Sequence, residues 1–154
     1  MKLFTVGYEG ADIDEFGKFL RRQKIRMVVD VRKNPVSRKK GFSKNNLAAH
    51  LPKYKIGYRS LPNLGVPSSW RKLAKTHHMT RTQMFKDYQR KILPLASAEI
   101  KEVFDLMKSE NTALLCFEAD HLDCHRHFVS EKIRKSAKGK VKVEDLHLPH
   151  QLSG

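Results

Sequence analysis

Short apolar segments alternate along the chain with longer segments in which apolar residues recur every third or fourth position. Segments of the first kind predict β-strands, and the longer periodic segments predict helices. The predicted strands are residues 2–6, 27–31, 56–61, 113–117 and 141–146. The predicted helices begin near Asp12, Ser43, Thr80, Ser97 and Asp123. This alternation is typical of an α/β fold with a mostly parallel central sheet of about five strands, flanked by helices.

The predicted strand at residues 27–31 is apolar on both faces, as expected for a central strand of a parallel sheet. The chain has 154 residues, which is the size of one ordinary domain. It contains no internal repeat, low-complexity segment or long linker. We therefore expect a single α/β domain over residues 1–154.

The sequence gives no sign of a membrane-spanning or secreted protein. No stretch approaches the roughly 18 apolar residues of a membrane span. The chain begins directly in a strand-like segment and lacks the pattern of a signal peptide. Its two cysteines, Cys116 and Cys124, are too few for a secreted disulfide scaffold and are expected as free thiols in a reducing cytosol. These features predict a cytoplasmic protein.

The chain is strongly basic, with 31 Lys and Arg against 16 Asp and Glu and a net charge of +15. Such an excess attracts polyanions, and nucleic acid is the expected partner because neutralised phosphates release their counterions. The alternative is that the charge only keeps the protein in solution. The sequence identifies no protein partner.

Polar residues follow the predicted strands at the edge of the sheet where ligands of parallel α/β proteins bind. The candidate catalytic residues there are Asp30, Glu118, Cys124 and His125. The candidate substrate- or anion-binding residues are Tyr8, Arg32, Ser37, Arg38 and Arg126. The pattern predicts one anion site built from separate segments.

The end of the fourth strand and the start of the next helix carry the most informative of these residues. We expect Asp123 to cap the helix and Cys124 to lie in its first turn. A helix N-terminus favours a bound phosphate and lowers the pKa of a thiol. Arg126 adds a planar group of donors suited to phosphate oxygens. Together they predict an anion site with a candidate nucleophile beside it.

Structural roles are the alternatives for the same residues. Cys116 lies in an apolar strand, which favours a small core residue over a reactive one. Cys124 can pack at the helix start without reacting. Arg126 can form an ion pair with Glu118 or Asp30.

The basic loop after the second strand is the second candidate segment. Asp30 can act as a base or orient a partner, and Arg32 and Arg38 can bind phosphates. Around the aromatic Phe42 lie further cations, which are Lys39, Lys40 and Lys44. Phosphate pairing and base stacking by such a mixture predict contact with nucleic acid.

Both aromatic residues of the basic segments also have a structural alternative. Phe42 can pack in the core beneath a solvated loop. Trp70 stands in a similar mixture with Arg71, Lys72 and Lys75. For Trp70 the pattern favours packing in the core.

A metal site is considered because five potential ligands lie within twelve positions. They are Cys116, His121, Cys124, His125 and His127. The separation of the two cysteines does not match the short Cys-x2–4-Cys unit of structural zinc, and there is no second unit. We therefore predict no metal and no cofactor.

Four segments, taken in order, resemble a known family. They are Thr5-Val6-Gly7-Tyr8, Asp30-Val31-Arg32 with Pro35, Ser37 and Arg38, Leu61-Pro62 with Leu64-Gly65, and Leu115-Cys116 with Glu118 and Cys124-His125-Arg126. The combination is similar to the domain of unknown function 488 family and runs from about residue 2 to the last strand. Tyr8 stands where this family often has His. The resemblance implies one α/β domain with these positions in one site, and it supplies no reaction.

Three functional hypotheses follow from the sequence. The first is an enzyme, a hydrolase or a transferase, that acts on nucleic acid or a nucleotide-like phosphate substrate. The separation of Cys116 from Arg126 is too long for the Cys-x5-Arg loop of tyrosine phosphatases. The second hypothesis is a non-catalytic nucleic-acid-binding domain that needs neither cysteine. The third is a thiol redox or metal-handling protein.

Overall fold

One sheet of five parallel strands runs through the computed structural model, which describes residues 1–152. The strands are β1 (Lys2–Gly7), β2 (Met27–Asp30), β3 (Gly57–Ser60), β4 (Thr112–Cys116) and β5 (Lys142–Asp145). Their order across the sheet is β3-β2-β4-β1-β5. The predicted α/β fold with a parallel sheet of five strands is confirmed. In this order the carboxyl ends of β1, β2 and β4 lie side by side.

Among the residues that the structure describes, six α-helices connect the strands. They are α1 (Ile13–Arg22), α2 (Lys44–His50), α3 (Ser68–Lys75), α4 (Arg81–Asp87), α5 (Ser97–Ser109) and α6 (Arg126–Ser136). A π-helical turn, Tyr88–Ile92, continues α4. The sequence pattern missed α3, a short helix that buries none of its residues fully and packs only the half-buried Trp70 and Ala74 against the core. Within residues 1–152, no helix has the length and apolar character needed to cross a membrane.

Each face of the sheet is covered by its own hydrophobic core. Because successive strand residues point to opposite faces, Val28 and Val29 of β2 belong to different cores. One core packs the sheet against α1 and α2, and the other packs it against α4, α5 and α6. All five residues of β4 are buried, as the apolar segment predicts for a central strand.

A buried ion pair marks the carboxyl end of β2. The Arg32 guanidinium donates to Asp30 through Nε at 2.9 Å and through Nη2 at 2.7 Å. Asp30 also accepts the Tyr58 hydroxyl at 2.6 Å, and its side chain has no exposed surface. Arg32 donates further to the Tyr8 hydroxyl and to the Phe42 carbonyl. The pair therefore joins β1, β2, β3 and the basic loop.

Removal of the carboxylate tests this role. Asp30→Ala should lower the free energy of unfolding by about 3–5 kcal/mol, because it leaves the Arg32 guanidinium buried without its partner. Denaturant unfolding followed by circular dichroism measures the loss. Asp105→Ala is the matched control, because it breaks an exposed pair with Lys101 and should cost less than about 1 kcal/mol. Similar small losses in both variants would contradict the anchoring role.

Candidate active site

A cleft of about 580 Å³ opens where β1, β2 and β4 end. Its volume lies in the range of about 300–1,000 Å³ that is typical of small-molecule sites. Buried groups form its floor, and these are Cys116, Cys124 and His125, with Arg32 and Tyr8 beside them. Exposed cations form much of its walls. Seven of the nine candidate residues that the sequence placed at the strand ends thus line one cavity, and Asp30 and Arg126 do not.

Two thiols face one nitrogen of His125 at the floor. The Cys116 Sγ lies 3.8 Å from His125 Nδ1, and the Cys124 Sγ lies 3.9 Å from the same atom. The other ring nitrogen, Nε2, is 2.7 Å from the Val31 carbonyl oxygen. A carbonyl only accepts, so Nε2 carries a proton and donates it. This bond orients the ring so that Nδ1 faces both sulfurs.

The backbone before α6 differs from the prediction. The helix begins at Arg126, and Cys124 before it has extended backbone, with φ −142° and ψ 145°. Asp123 ends a 3₁₀ turn, and its carboxylate accepts from Arg81 at 2.7 Å instead of capping α6. The predicted cap and the predicted helical position of Cys124 are therefore wrong. The N-cap position is His125, and the Cys124 sulfur before it accepts the first backbone N–H of the helix, that of Arg126, at 3.5 Å.

Arg126 lies behind the floor and outside the cleft lining. Its side chain is fully buried and donates to the carbonyls of Glu118, at 2.6 Å, and Ala119, at 3.3 Å. Both predictions for this residue, a phosphate ligand and an ion pair with an acid, are corrected. Gly7 packs against the same loop, where an added Cβ would overlap the backbone carbonyl oxygen of Glu118. The segment after β4 is thus held from two sides.

The two thiols ionise differently. Burial opposes ionisation of Cys124, but the neighbouring Cys116 thiol, His125 and Arg126 outweigh it and hold the pKa of Cys124 well below its ordinary value. The hydrogen bond to Cys124, together with burial, raises the pKa of Cys116. Burial lowers the pKa of His125, yet the Cys124 charge prevails and raises it. The group therefore favours a Cys124 thiolate beside a protonated His125.

Glu118 adds a carboxyl group to the floor. Burial and the Cys124 charge raise the pKa of Glu118 to about 7. Its Oε2 accepts from the Cys116 thiol at 3.4 Å. A carboxyl group with this pKa can both donate and accept a proton near neutral pH, as general acid–base catalysis requires.

Asp30 and Arg32 have little capacity left for a ligand. Asp30 is fully buried and does not line the cleft, so its predicted catalytic role is corrected to positioning Arg32. Arg32 does line the cleft, but four of its five side-chain N–H groups already have partners in Asp30, Tyr8 and Phe42. Tyr8 lines the cleft as well, buried and engaged with Arg32.

The basic loop divides into a structural part and an exposed part. Ser37 lines the cleft and folds the loop, because its N–H donates to the Ser43 hydroxyl at 3.0 Å. Phe42 is fully buried and stacks on Tyr8 with ring centroids 4.6 Å apart, which corrects its predicted role in base stacking. Arg38 is exposed in the cleft wall. The remaining loop cations, Lys39, Lys40 and Lys44, lie outside the cleft lining.

Further cations of the walls come from helices α3 and α4. They are Arg71, Lys72 and Lys75 of α3 and Arg81 of α4, and all are exposed. The sequence noted the α3 group only as the surroundings of Trp70, which packs partly buried against the core. Arg81 was missed, because nothing in the sequence brings it to the strand ends, and Lys33 was passed over although it directly follows Arg32 after β2.

The floor also contains a set of atoms that could hold a metal ion. The ligand atoms of Cys116, Cys124 and His125 lie within 4.8 Å of one another. In the part of the chain that the structure describes, no other three His, Cys or acidic residues are grouped in this way. Two thiols and an imidazole are donors that zinc accepts.

The raised pKa of Glu118 predicts a pH dependence of stability. Because this pKa lies above its value in the unfolded chain, Glu118 contributes stability below about pH 4.5 that is lost as the pH rises through about 7. Glu118→Gln cannot ionise and should avoid that loss. Between pH 4 and pH 8, the free energy of unfolding of the variant relative to the wild type should rise by about 1–3 kcal/mol.

Urea unfolding at several pH values measures this difference. The control is Glu110→Gln, which removes an exposed carboxylate and should follow the wild-type pH dependence. If Glu118→Gln also followed the wild-type pH dependence, burial would not be raising the pKa of the Glu118 carboxyl group.

The combination of segments that builds this site also identifies its family. No curated protein and no solved structure matches the chain. A family described as "Domain of unknown function DUF488" matches residues 12–133, which include β2, β4 and every floor residue except Tyr8. Most of the chain is covered, and the resemblance to this family is confirmed, although the first of the four segments, Thr5-Val6-Gly7-Tyr8, lies outside the matched residues. The chain therefore belongs to the domain of unknown function 488 family.

Proposed function

We propose that this protein is an enzyme that uses Cys124 as a nucleophile on a nucleotide or nucleic-acid substrate. The observation that carries the proposal is a thiol–imidazole pair at the floor of a cleft with cationic walls. Cysteine nucleophiles are activated by this kind of partner. A cytoplasmic location, where thiols stay reduced, is part of the proposal.

The walls provide the affinity for phosphate. Arg38 faces the cleft from the loop after β2, and Arg71, Lys72 and Lys75 face it from α3. Because these cations are exposed, they can neutralise a phosphate from two sides of the cleft without giving up a buried partner. The single uncommitted N–H of Arg32 adds one donor at the floor. The net charge of +15 steers polyanions towards the protein.

The floor residues supply one complete catalytic cycle. The Cys124 thiolate, stabilised by His125, forms a bond to the electrophilic atom of the substrate. The bond from that atom to the leaving oxygen or nitrogen breaks, and Glu118 gives its proton to the leaving atom. Glu118 then takes a proton from water or an alcohol, which attacks the intermediate and releases the thiolate. Water as acceptor gives a hydrolase, and an alcohol gives a transferase.

A second candidate function, metal handling, is favoured by the spacing of the two sulfurs and His125 Nδ1. In that function both cysteines are ligands, and neither is a free nucleophile. The bond from His125 Nε2 to Val31 is also the kind of contact that orients a metal-binding histidine. One equivalent of zinc or iron in freshly purified protein would favour this function over the thiolate enzyme.

The two cysteines provide a matched pair for testing the nucleophile. At pH 6, iodoacetamide should label Cys124 at least about tenfold faster than Cys116, because only Cys124 has a lowered pKa. Peptide mapping by mass spectrometry measures both rates. Cys116→Ser keeps a hydrogen-bond donor and should retain the fast-reacting thiol, whereas Cys124→Ser should lose it.

The same variants separate an enzyme from a binding domain. With a panel of nucleotides and oligonucleotides, Cys124→Ser should abolish turnover and leave binding within about threefold of the wild type. A variant that kept its turnover would exclude the proposed nucleophile. A wild type that binds and never turns over any member of the panel would favour the non-catalytic binding domain.

The walls predict charge-dependent binding. Arg38→Glu and Arg71→Glu should each weaken binding of a single-stranded oligonucleotide by about tenfold at low salt, and a few-fold rise in salt should weaken wild-type binding by a similar factor. Fluorescence anisotropy measures both effects. Lys53→Glu makes the same charge change at an exposed position outside the cleft and should have a much smaller effect. Equal effects from all three variants would indicate attraction by net charge alone.

A further inference from the structure

Phe117 stands out among the residues that line the cleft. It follows directly after β4 and is 43% exposed, whereas the five residues of β4 before it are all buried. Its backbone is fixed, because its carbonyl accepts the N–H of Glu9 at 2.8 Å. A single exposed apolar side chain is ordinary on a protein surface, but this ring lines the cleft of the candidate active site. The catalytic proposal does not use it.

A row of aromatic rings supports this side chain from behind. Phe16 contacts Phe42 edge-on at 5.2 Å, and Phe42 stacks on Tyr8 at 4.6 Å. Tyr8 in turn contacts Phe117 at 5.3 Å with the ring planes 80° apart. Phe117 is the last ring of the row and the one with substantial exposure. Its ring is therefore held in place before any ligand arrives.

The surroundings of the ring match a ligand that is part apolar and part anionic. Phe117 lies in the same cleft as Arg38 and the cations of α3. Val36, which is 79% exposed, adds a second apolar side chain to that lining. A phosphate ester without a ring would use the cations and leave the apolar surface in water. A nucleotide would use both.

We infer that Phe117 is a stacking platform for an unpaired nucleobase, so that the ligand of the cleft is a nucleotide with an accessible base face. The inference rests on the proposed function and specifies its substrate class. A base inside a duplex has both faces covered by its neighbours, so it cannot stack on Phe117 unless it leaves the helix. The ligand is then a free nucleotide or an unpaired unit of a single strand.

The test compares ligands with and without a base. Adenosine 5′-monophosphate should bind wild-type protein at least about tenfold more tightly than ribose 5-phosphate does, and a short single-stranded oligonucleotide should exceed an abasic strand of the same length by a similar factor. Phe117→Ala should remove that advantage and leave the affinity for ribose 5-phosphate unchanged. Phe117→Tyr keeps a stacking ring and should preserve it. Isothermal titration calorimetry at one salt concentration measures all of these affinities.

Leu122→Ala is the matched control, because it removes a side chain that is 61% exposed and lies outside the cleft lining. It should not change any of the affinities. Thermal unfolding of each variant shows whether the loss of the Tyr8 contact has altered the fold. If Phe117→Ala unfolds, the comparison of Phe117→Leu with Phe117→Tyr decides, since leucine fills the space without an aromatic face.

The outcomes separate this inference from the proposed function. If adenosine 5′-monophosphate bound no more tightly than ribose 5-phosphate, or if Phe117→Ala weakened both equally, the stacking platform would be overturned while the phosphate cleft stood. If neither ligand bound the wild type and the charge reversals had no effect, the proposed function itself would fail. Tight binding of the monophosphate alone identifies a free nucleotide as the ligand, and tighter binding of the oligonucleotide identifies a single strand.

Discussion

The buried ion pair between Asp30 and Arg32 is the interaction on which the cleft depends. The carboxylate ends a central strand where water does not reach, and the guanidinium neutralises it through two hydrogen bonds. Because Arg32 also binds the Tyr8 hydroxyl and the Phe42 carbonyl, the pair fixes the end of β1 and the basic loop relative to β2. That loop carries Arg38 to the cleft wall. A buried ion pair thus fixes the position of Arg38, an exposed residue of the cleft wall.

The fold was predictable from the sequence because apolar periodicity records burial. The strands of the centre, β2 and β4, are buried throughout or nearly so, and both were recognised within one residue. Helix α3 was not predicted from the sequence, because none of its residues is fully buried. The start of α6 was misplaced for a different reason, since the partner of Asp123 is Arg81, which is 42 positions away and invisible to a local pattern.

The candidate site was predictable as a location but not as a set of roles. The rule that strand ends meet at one edge brought Glu118, Cys124 and His125 together correctly. It could not show which polar groups already had partners, and so it gave Asp30 and Arg126 to a ligand when they serve the fold. The same limit applies to the aromatic residues Phe42 and Phe117, because only the packing shows which of the two rings is exposed at the surface. The basic walls needed the structure, since α3 itself was not expected.

The Cys116 thiol, His125 and the buried Arg126 together hold the pKa of Cys124 well below its ordinary value, and Arg126 is the one of the three with a permanent charge. Arg126 is fully buried, and within residues 1–152 it forms no ion pair with a carboxylate. A buried cation needs a compensating negative group, and the Cys124 thiolate is the neighbour that can provide one. A bound phosphate adds negative charge above the floor and opposes ionisation of Cys124. Salt screens the exposed wall cations but not a buried guanidinium. In the proposed function, binding therefore varies with salt, whereas the ionisation of Cys124 depends on the buried groups Cys116, His125 and Arg126, which salt does not screen.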